Sequence, residues 1–192
     1  MEEILKQATE HHIPIVRPKT LELLVQSVKE NAPQHILEIG TAIGYSAVQM
    51  LRACDGKLTS IEIRPLDHEL AKSNLTRLGL IDRAELILGD AGVELKRLVA
   101  EGKHFDFVFL DGPKGQYLTY LKDLKLLLNK GGIIFADDVL FRGMVGGDDF
   151  VPHKFRTIVV NLRKYLSEVQ KTPFESQILD IEDGICISKK VE

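Results

Sequence analysis

Three aspartates and one lysine stand at the ends of two β-type runs. The fourth run closes in Asp111-Gly112-Pro113-Lys114 and the fifth in Asp137-Asp138. In open α/β sheets, ligands bind beyond the carboxyl ends of the strands, so these side chains are expected to meet at one cleft. Three carboxylates brought together repel. A hard divalent cation relieves that repulsion, and an all-oxygen donor set suits magnesium. Neighbouring strand residues point to opposite faces, so Asp137 and Asp138 can share an ion only if the strand ends there. The alternative assignment has Asp111 and Asp138 capping the following turns, with Lys114 a solvated surface lysine.

A second constellation lies nearer the start. The first β-type run ends in Glu38-Ile39-Gly40-Thr41-Ala42-Ile43-Gly44-Tyr45-Ser46. Gly40 and Gly44 let the backbone turn tightly and approach a ligand at a helix N-terminus. Their Gly-x-x-x-Gly spacing is not the Gly-x-Gly-x-x-Gly of pyrophosphate-binding turns. Glu62 closes the second run, 22 residues beyond Gly40, where doubly wound folds place an acid on ribose hydroxyls. Asp90, in Gly89-Asp90-Ala91, ends the third run beside the expected adenine pocket. A nucleoside-bearing cofactor without a pyrophosphate fits this set, which describes S-adenosylmethionine. Glu38 is expected to orient the turn, or the cofactor's amino-acid end through water. The other reading is a tight strand-to-helix turn without a ligand.

The elements that must position these residues alternate. Apolar runs at 35–40, 58–63, 84–90, 105–111 and 132–138 read as strands buried on both faces. Helical segments at 44–53, 65–78 and 91–101 separate the first four. Tyr117, Tyr120, Leu121, Leu124, Leu127 and Leu128 recur at helical spacing before the fifth, with Gly131 as the expected stop. Strand–helix repetition predicts a parallel sheet with helices on both faces. A long amphipathic helix at 154–170 then precedes runs at 176–181 and 185–189. Glu182-Asp183-Gly184 between them predicts a hairpin, so the last strand is antiparallel. Helices are also expected at 2–11 and 19–31, around an extended piece at 13–18.

With 192 residues, one domain is the default: a helical N-terminal segment over 1–31 and a catalytic core over 32–192. Hydrophobic residues make up 44 % and charged ones 28 %, which excludes a disordered chain. The absence of a spanning-length apolar run excludes an integral membrane protein. Three glutamates among the first ten residues argue against a secretory signal and for the cytoplasm. Cys54 and Cys186 are read as free thiols. A net charge of −3 excludes a strongly basic nucleic-acid binder, though not a local basic patch.

The run Glu-Ile-Gly-Thr-Ala-Ile-Gly-Tyr-Ser resembles the first motif of class I methyltransferases, specifically the cation-dependent O-methyltransferases of the catechol and caffeoyl-CoA type. The resemblance covers about residues 10–190 and implies a Rossmann-like, seven-stranded, mostly parallel sheet with an antiparallel last strand. It implies metal ligation by Asp111, Asp137 and Asp138 and a catalytic Lys114. The implied cofactor set is Glu38, Gly40, Thr41, Gly44, Ser46, Glu62, Asp90, Ala91 and Asp111. The family usually has Asn at position 138. The Asp here adds charge that should hold a cation more tightly and weaken its acidifying effect on a hydroxyl.

Asp111-Gly112-Pro113-Lys114-Gly115-Gln116-Tyr117, Asp138-Val139-Leu140-Phe141-Arg142-Gly143, Glu10-His11-His12-Ile13-Pro14-Ile15 and Asp183-Gly184-Ile185 resemble the bacterial tRNA 5-hydroxyuridine methyltransferase branch. That implies a tRNA anticodon loop as partner and the 5-hydroxyl of the wobble uridine as acceptor. A small catechol-like metabolite and a non-catalytic nucleoside- or RNA-binding protein are the alternatives. A homodimer is an open option. Lys154, Arg156, Arg163 and Lys164 lie opposite an apolar stripe and are expected to face solvent, where they could meet phosphates. The alternative for them is an ordinary solvated helix face. Arg142, in a Gly-rich loop over 141–147, is placed to clamp a flipped-out base.

Overall fold

The computed structural model describes residues 1–147 and 150–192. Seven strands, β1 (His35–Ile39), β2 (Lys57–Glu62), β3 (Ala84–Leu88), β4 (Phe105–Leu110), β5 (Leu128–Ala136), β6 (Phe174–Leu179) and β7 (Ile185–Lys190), form one sheet. Their order is β3-β2-β1-β4-β5-β7-β6. β7 runs antiparallel to β5 and to β6, as the Asp-Gly turn predicts. Helices surround the sheet: α1 (Glu2–Glu10), α2 (Pro18–Asn31), α3 (Tyr45–Ala53), α4 (Pro65–Arg77), α5 (Ala91–Ala100), α6 (Tyr117–Leu127) and α7 (Arg156–Val169). The chain divides into two compact units, Met1–Glu94 and Leu95–Glu192. Among the described residues no helix is long and apolar enough to cross a membrane.

In the first unit β1 pairs in parallel with β2, and β2 with β3. Ile36, Leu37, Ile39, Leu58 and Ile61 are buried in its core with Leu24, Val28 and Leu75 from the helices. Pro18 and Pro65 open α2 and α4 at positions where a missing N–H costs nothing. β3 is only partly buried, unlike the expectation, because it is an edge strand with no neighbour on one side. The N-terminal helix packs into this unit: Ile4 and Ala8 are buried. The Asn74 amide of α4 donates to Gln7 at 2.8 Å and to the Ile43 carbonyl at 3.0 Å. It thereby ties α1 to the glycine turn.

In the second unit the core is aromatic. Phe107, Phe109 and Phe135 on the paired β4 and β5 are fully buried. Tyr117 of α6 meets Tyr165 of α7 edge-on, with ring centroids 5.6 Å apart. Gly131 does not stop α6. The helix ends at Leu127, and Gly131 (φ +83°) lies inside β5, where the pairing with β4 shifts register. A helix-stop glycine and a bulge glycine are both left-handed, so the residue type alone could not separate them. The β6–β7 connection is also longer than expected. β6 stops at Leu179, and the turn carries left-handed Glu182 and Gly184.

Candidate active site

In the first unit, β1 ends at Ile39 and the chain turns through three left-handed residues: Gly40, Ala42 and Gly44, at φ of +99°, +45° and +80°. The Gly40 and Thr41 amides donate to the Ile61 carbonyl at 3.0 and 3.3 Å. Gly44 caps α3 at a left-handed angle that favours glycine, and a Cβ there would lie a tight 3.3 Å from that of Ala71. Glu38 is fully buried. Its two oxygens accept from Ser46 and Ser60, each at 2.5 Å, and the Ser60 hydroxyl also meets that of Thr41. Glu38, Thr41 and Ser46 thus form a polar brace beneath the turn.

Glu62 ends β2 and is 7 % exposed. One carboxylate oxygen accepts the Ala42 amide and the other the Arg64 amide, both at 2.8 Å. The acid therefore shapes the glycine turn, and each oxygen retains a lone pair for a hydroxyl donor. Asp90 is exposed and caps α5, accepting the Val93 amide at 3.2 Å. Ala91 is buried at the start of that helix.

The second unit holds the acids. Asp111 follows β4; Asp137 and Asp138 follow β5, which ends at Ala136. Asp138 has φ +56°, so the chain has left the strand where the two neighbours diverge. Carboxylate oxygens of Asp111, Asp137 and Asp138 lie within 4.8 Å of one another. Asp137 is the buried member, at 3 % exposure. Burial and the adjacent Asp111 and Asp138 charges push its pKa up to about 7.

Lys114 occupies the 3-10 turn Lys114–Gln116. Its ammonium lies 2.6 Å from Asp111, 3.2 Å from Asp138 and 3.1 Å from the Tyr117 hydroxyl. Burial pulls its pKa down, but Tyr117, Asp111 and Asp138 outweigh this and hold it well above the usual lysine value. Lys114 is therefore a firmly protonated ion-pair partner here, not a solvated lysine. Asp111 and Asp138 pair with this one ammonium, and Asp137 adds a third carboxyl beside them whose raised pKa reflects burial and the crowding of negative charge.

The basic residues divide. Arg142 and Lys154 stand over the Phe155 ring, 5.3 and 4.8 Å from its centroid, and Phe141 meets Phe155 edge-on at 5.5 Å. The loop after β5 and the start of α7 thus share one cationic, aromatic patch. Arg156 reaches the Val151 carbonyl at 3.4 Å, and Lys164 is exposed. Arg163 is exposed, as expected, and also turns back onto the loop. Its guanidinium donates to the carbonyls of Val145 at 3.0 Å, Met144 at 3.2 Å and Gly147 at 2.5 Å. Its planar fork matches an array of loop carbonyls, so it tethers the Gly-rich loop to α7 while the residue stays exposed. The α7 residue Asn161 donates to the Gly115 carbonyl at 2.8 Å, joining this helix to the Lys114 turn.

Tyr117 was legible in the sequence only as a core residue of α6. In the fold its hydroxyl lies 2.9 Å from the Leu110 carbonyl and 3.0 Å from that of Asp137. Its place three residues after Lys114 is the one signal that could have singled it out.

A family model described as O-methyltransferase matches residues 2–191. Caffeoyl-CoA O-methyltransferase of Eucalyptus gunnii is 30 % identical over 168 residues, covering 83 % of this chain and 67 % of that one. The O-methyltransferase of Bacillus cereus solved with SAH is similar at a TM-score of 0.87 and 25 % identity, over 98 % of this chain and 89 % of that one. TomG of Streptomyces achromogenes, an O-methyltransferase involved in tomaymycin synthesis and solved with SAM, is similar at a TM-score of 0.86 and 25 % identity, over 96 % and 86 %. Because the family match takes in both the glycine turn and the acidic cluster, the chain belongs to the O-methyltransferase family.

Proposed function

We propose that this O-methyltransferase transfers the methyl group of S-adenosylmethionine to the 5-hydroxyl of 5-hydroxyuridine at the tRNA wobble position, with Asp111, Asp137 and Asp138 holding magnesium or another divalent cation. The donor is supported by the SAH and SAM in the two similar solved structures. The cation is supported by the three converging carboxylates. Their all-oxygen donor set and the crowding of negative charge that, with burial, raises the Asp137 pKa fit a hard divalent ion. Bound there, the ion supplies Lewis-acid polarisation of an acceptor hydroxyl.

The chain's own residues do the rest. Gly40 and Gly44 open the turn to the cofactor, and Glu62 offers lone pairs to its ribose hydroxyls. Asp111 and Asp138 hold the Lys114 ammonium in place. With a cation on Asp111 and Asp138, their hold on the Lys114 ammonium weakens, and burial then works to lower its pKa against the raising effect of Tyr117. Nζ is then able to take the acceptor's proton. Tyr117 keeps Nζ oriented through this change.

The observation that carries the tRNA acceptor is the patch formed by Phe141 and Arg142, on the loop that follows Asp138, with Lys154 and Phe155 of the turn before α7. Aromatic faces stack on unpaired bases, and cations beside them meet phosphates. The caffeoyl-CoA O-methyltransferase relatives favour a second reading, a small catechol-like acceptor. The purified enzyme should be given tRNA containing 5-hydroxyuridine, S-adenosylmethionine and Mg²⁺, with a catechol as competitor, and the nucleosides analysed by mass. A methyl group gained by 5-hydroxyuridine supports the tRNA reading. Methylation of the catechol alone replaces it with the second reading. Cofactor binding without transfer to either acceptor overturns both readings and points to a different acceptor.

A further inference from the structure

The turn between β6 and β7 grips the loop that carries Asp138. The Val139 amide donates to the Gly184 carbonyl at 3.0 Å, and the Leu140 amide to the Asp183 carbonyl at 2.9 Å. The Asp183 carboxylate accepts the Arg142 amide. Fit reinforces these bonds: a Cβ on Gly184 (φ +86°) would lie 2.2 Å from Leu140 Cγ. The loop needs such support. Asp138, Phe141 and Arg142 hold φ of +56°, +41° and +58°. Residues with a Cβ disfavour this region and stay there only where their surroundings impose it.

The two backbone bonds hold the base of the loop. The Asp183 carboxylate reaches further along it, to Arg142, the last of the three left-handed residues that carry a Cβ. We propose, resting on the cation site above, that Asp183 is a positioning residue. Its carboxylate fixes the 138–142 segment and so keeps the Asp138 carboxylate beside Asp111 and Asp137. Asp183 acts through the loop and is not itself a ligand. Supporting residues of this kind typically change metal affinity by about 10–100-fold when lost.

Binding of Mn²⁺, used as the probe ion, can be followed by the electron paramagnetic resonance of the free ion, alongside urea unfolding to check the fold. The native chain should bind Mn²⁺, and Asp183→Ala should bind it about tenfold more weakly. Asp183→Asn should restore the affinity, because its amide oxygen still accepts the Arg142 N–H. That rescue separates positioning from simple loss of a nearby negative charge. If Asp183→Ala fails to fold, Asp183→Glu serves instead, since it keeps the charge but displaces the oxygens, and weaker binding is expected. Native affinity in the Ala or Glu variant, or an Asn variant as weak as Ala, overturns the role of Asp183. Failure of the native chain to bind Mn²⁺, or equal binding by Asp137→Ala, overturns the cation site itself and the role of Asp183 with it.

Discussion

The Tyr117 hydroxyl lies 3.1 Å from the Lys114 ammonium and within 3.0 Å of the carbonyls of Leu110 and Asp137. One buried side chain thus ties the lysine to the ends of both acid-bearing strands. Tyr117→Phe keeps the ring contact with Tyr165 and removes only the oxygen. It should cost about 1–3 kcal/mol of stability, because buried carbonyls lose a donor. It should also lower kcat about tenfold while leaving S-adenosylmethionine affinity unchanged. Unaltered kcat would show that Lys114 needs no such support.

Chelation should abolish turnover and Mg²⁺ should restore it. Asp111→Ala and Asp137→Ala should be nearly inactive, whereas Asp138→Asn should keep substantial activity because an amide oxygen can still ligate. Lys114→Ala should lower kcat by about 10²-fold or more with little change in cofactor binding. Full activity in excess chelator is the result that removes the cation from the mechanism.

The cation-free protein should lose stability as pH rises. The folded pKa of Asp137 is raised to about 7 from 3.8, so the native state binds its proton more tightly than the unfolded chain does. This contribution is fully present below the unfolded value and disappears as pH passes through about 7. Urea midpoints without metal should therefore fall between about pH 4 and about pH 7 and level off above, with Mg²⁺ offsetting the fall at the upper end. Asp137→Asn should flatten the dependence. An unchanged slope in that variant would assign it to other groups.

Glu62→Ala should weaken S-adenosylmethionine binding by about 1–3 kcal/mol through lost charge-assisted hydrogen bonds. The Ala42 and Arg64 amides lose their acceptor too, so the glycine turn should also exchange its amides faster. Calorimetry showing native affinity in this variant would exclude Glu62 from the cofactor site.

Arg163 and Lys164 are neighbours with different expected phenotypes. Lys164→Glu should raise KM for tRNA and flatten its salt dependence without affecting S-adenosylmethionine. Arg163→Ala should instead release the loop carbonyls of Met144, Val145 and Gly147 and speed amide hydrogen exchange over 144–147. Identical behaviour of the two variants would mean that Arg163 acts only through its charge.

The sequence by itself carried what near neighbours encode. Apolar runs bounded by glycine and proline marked the helices and every strand but β5 within a residue or two, β5 beginning at Leu128 and not at 132, and the Asp-Gly pair marked the final antiparallel strand. Asp111, Asp137 and Asp138 were readable as strand-end acids, because parallel topology sends strand ends to one edge. Tertiary structure alone decided the partnerships between distant segments. Asp183 meets Arg142 across 41 positions, and Arg163 meets Val145 across 18. Neither contact repeats with a helical or strand period, so no local pattern announces it. Arg163 shows the reason most plainly. An arginine on the polar side of an amphipathic helix looks the same in sequence whether its fork meets water or loop carbonyls, and only the loop's path through space settles which.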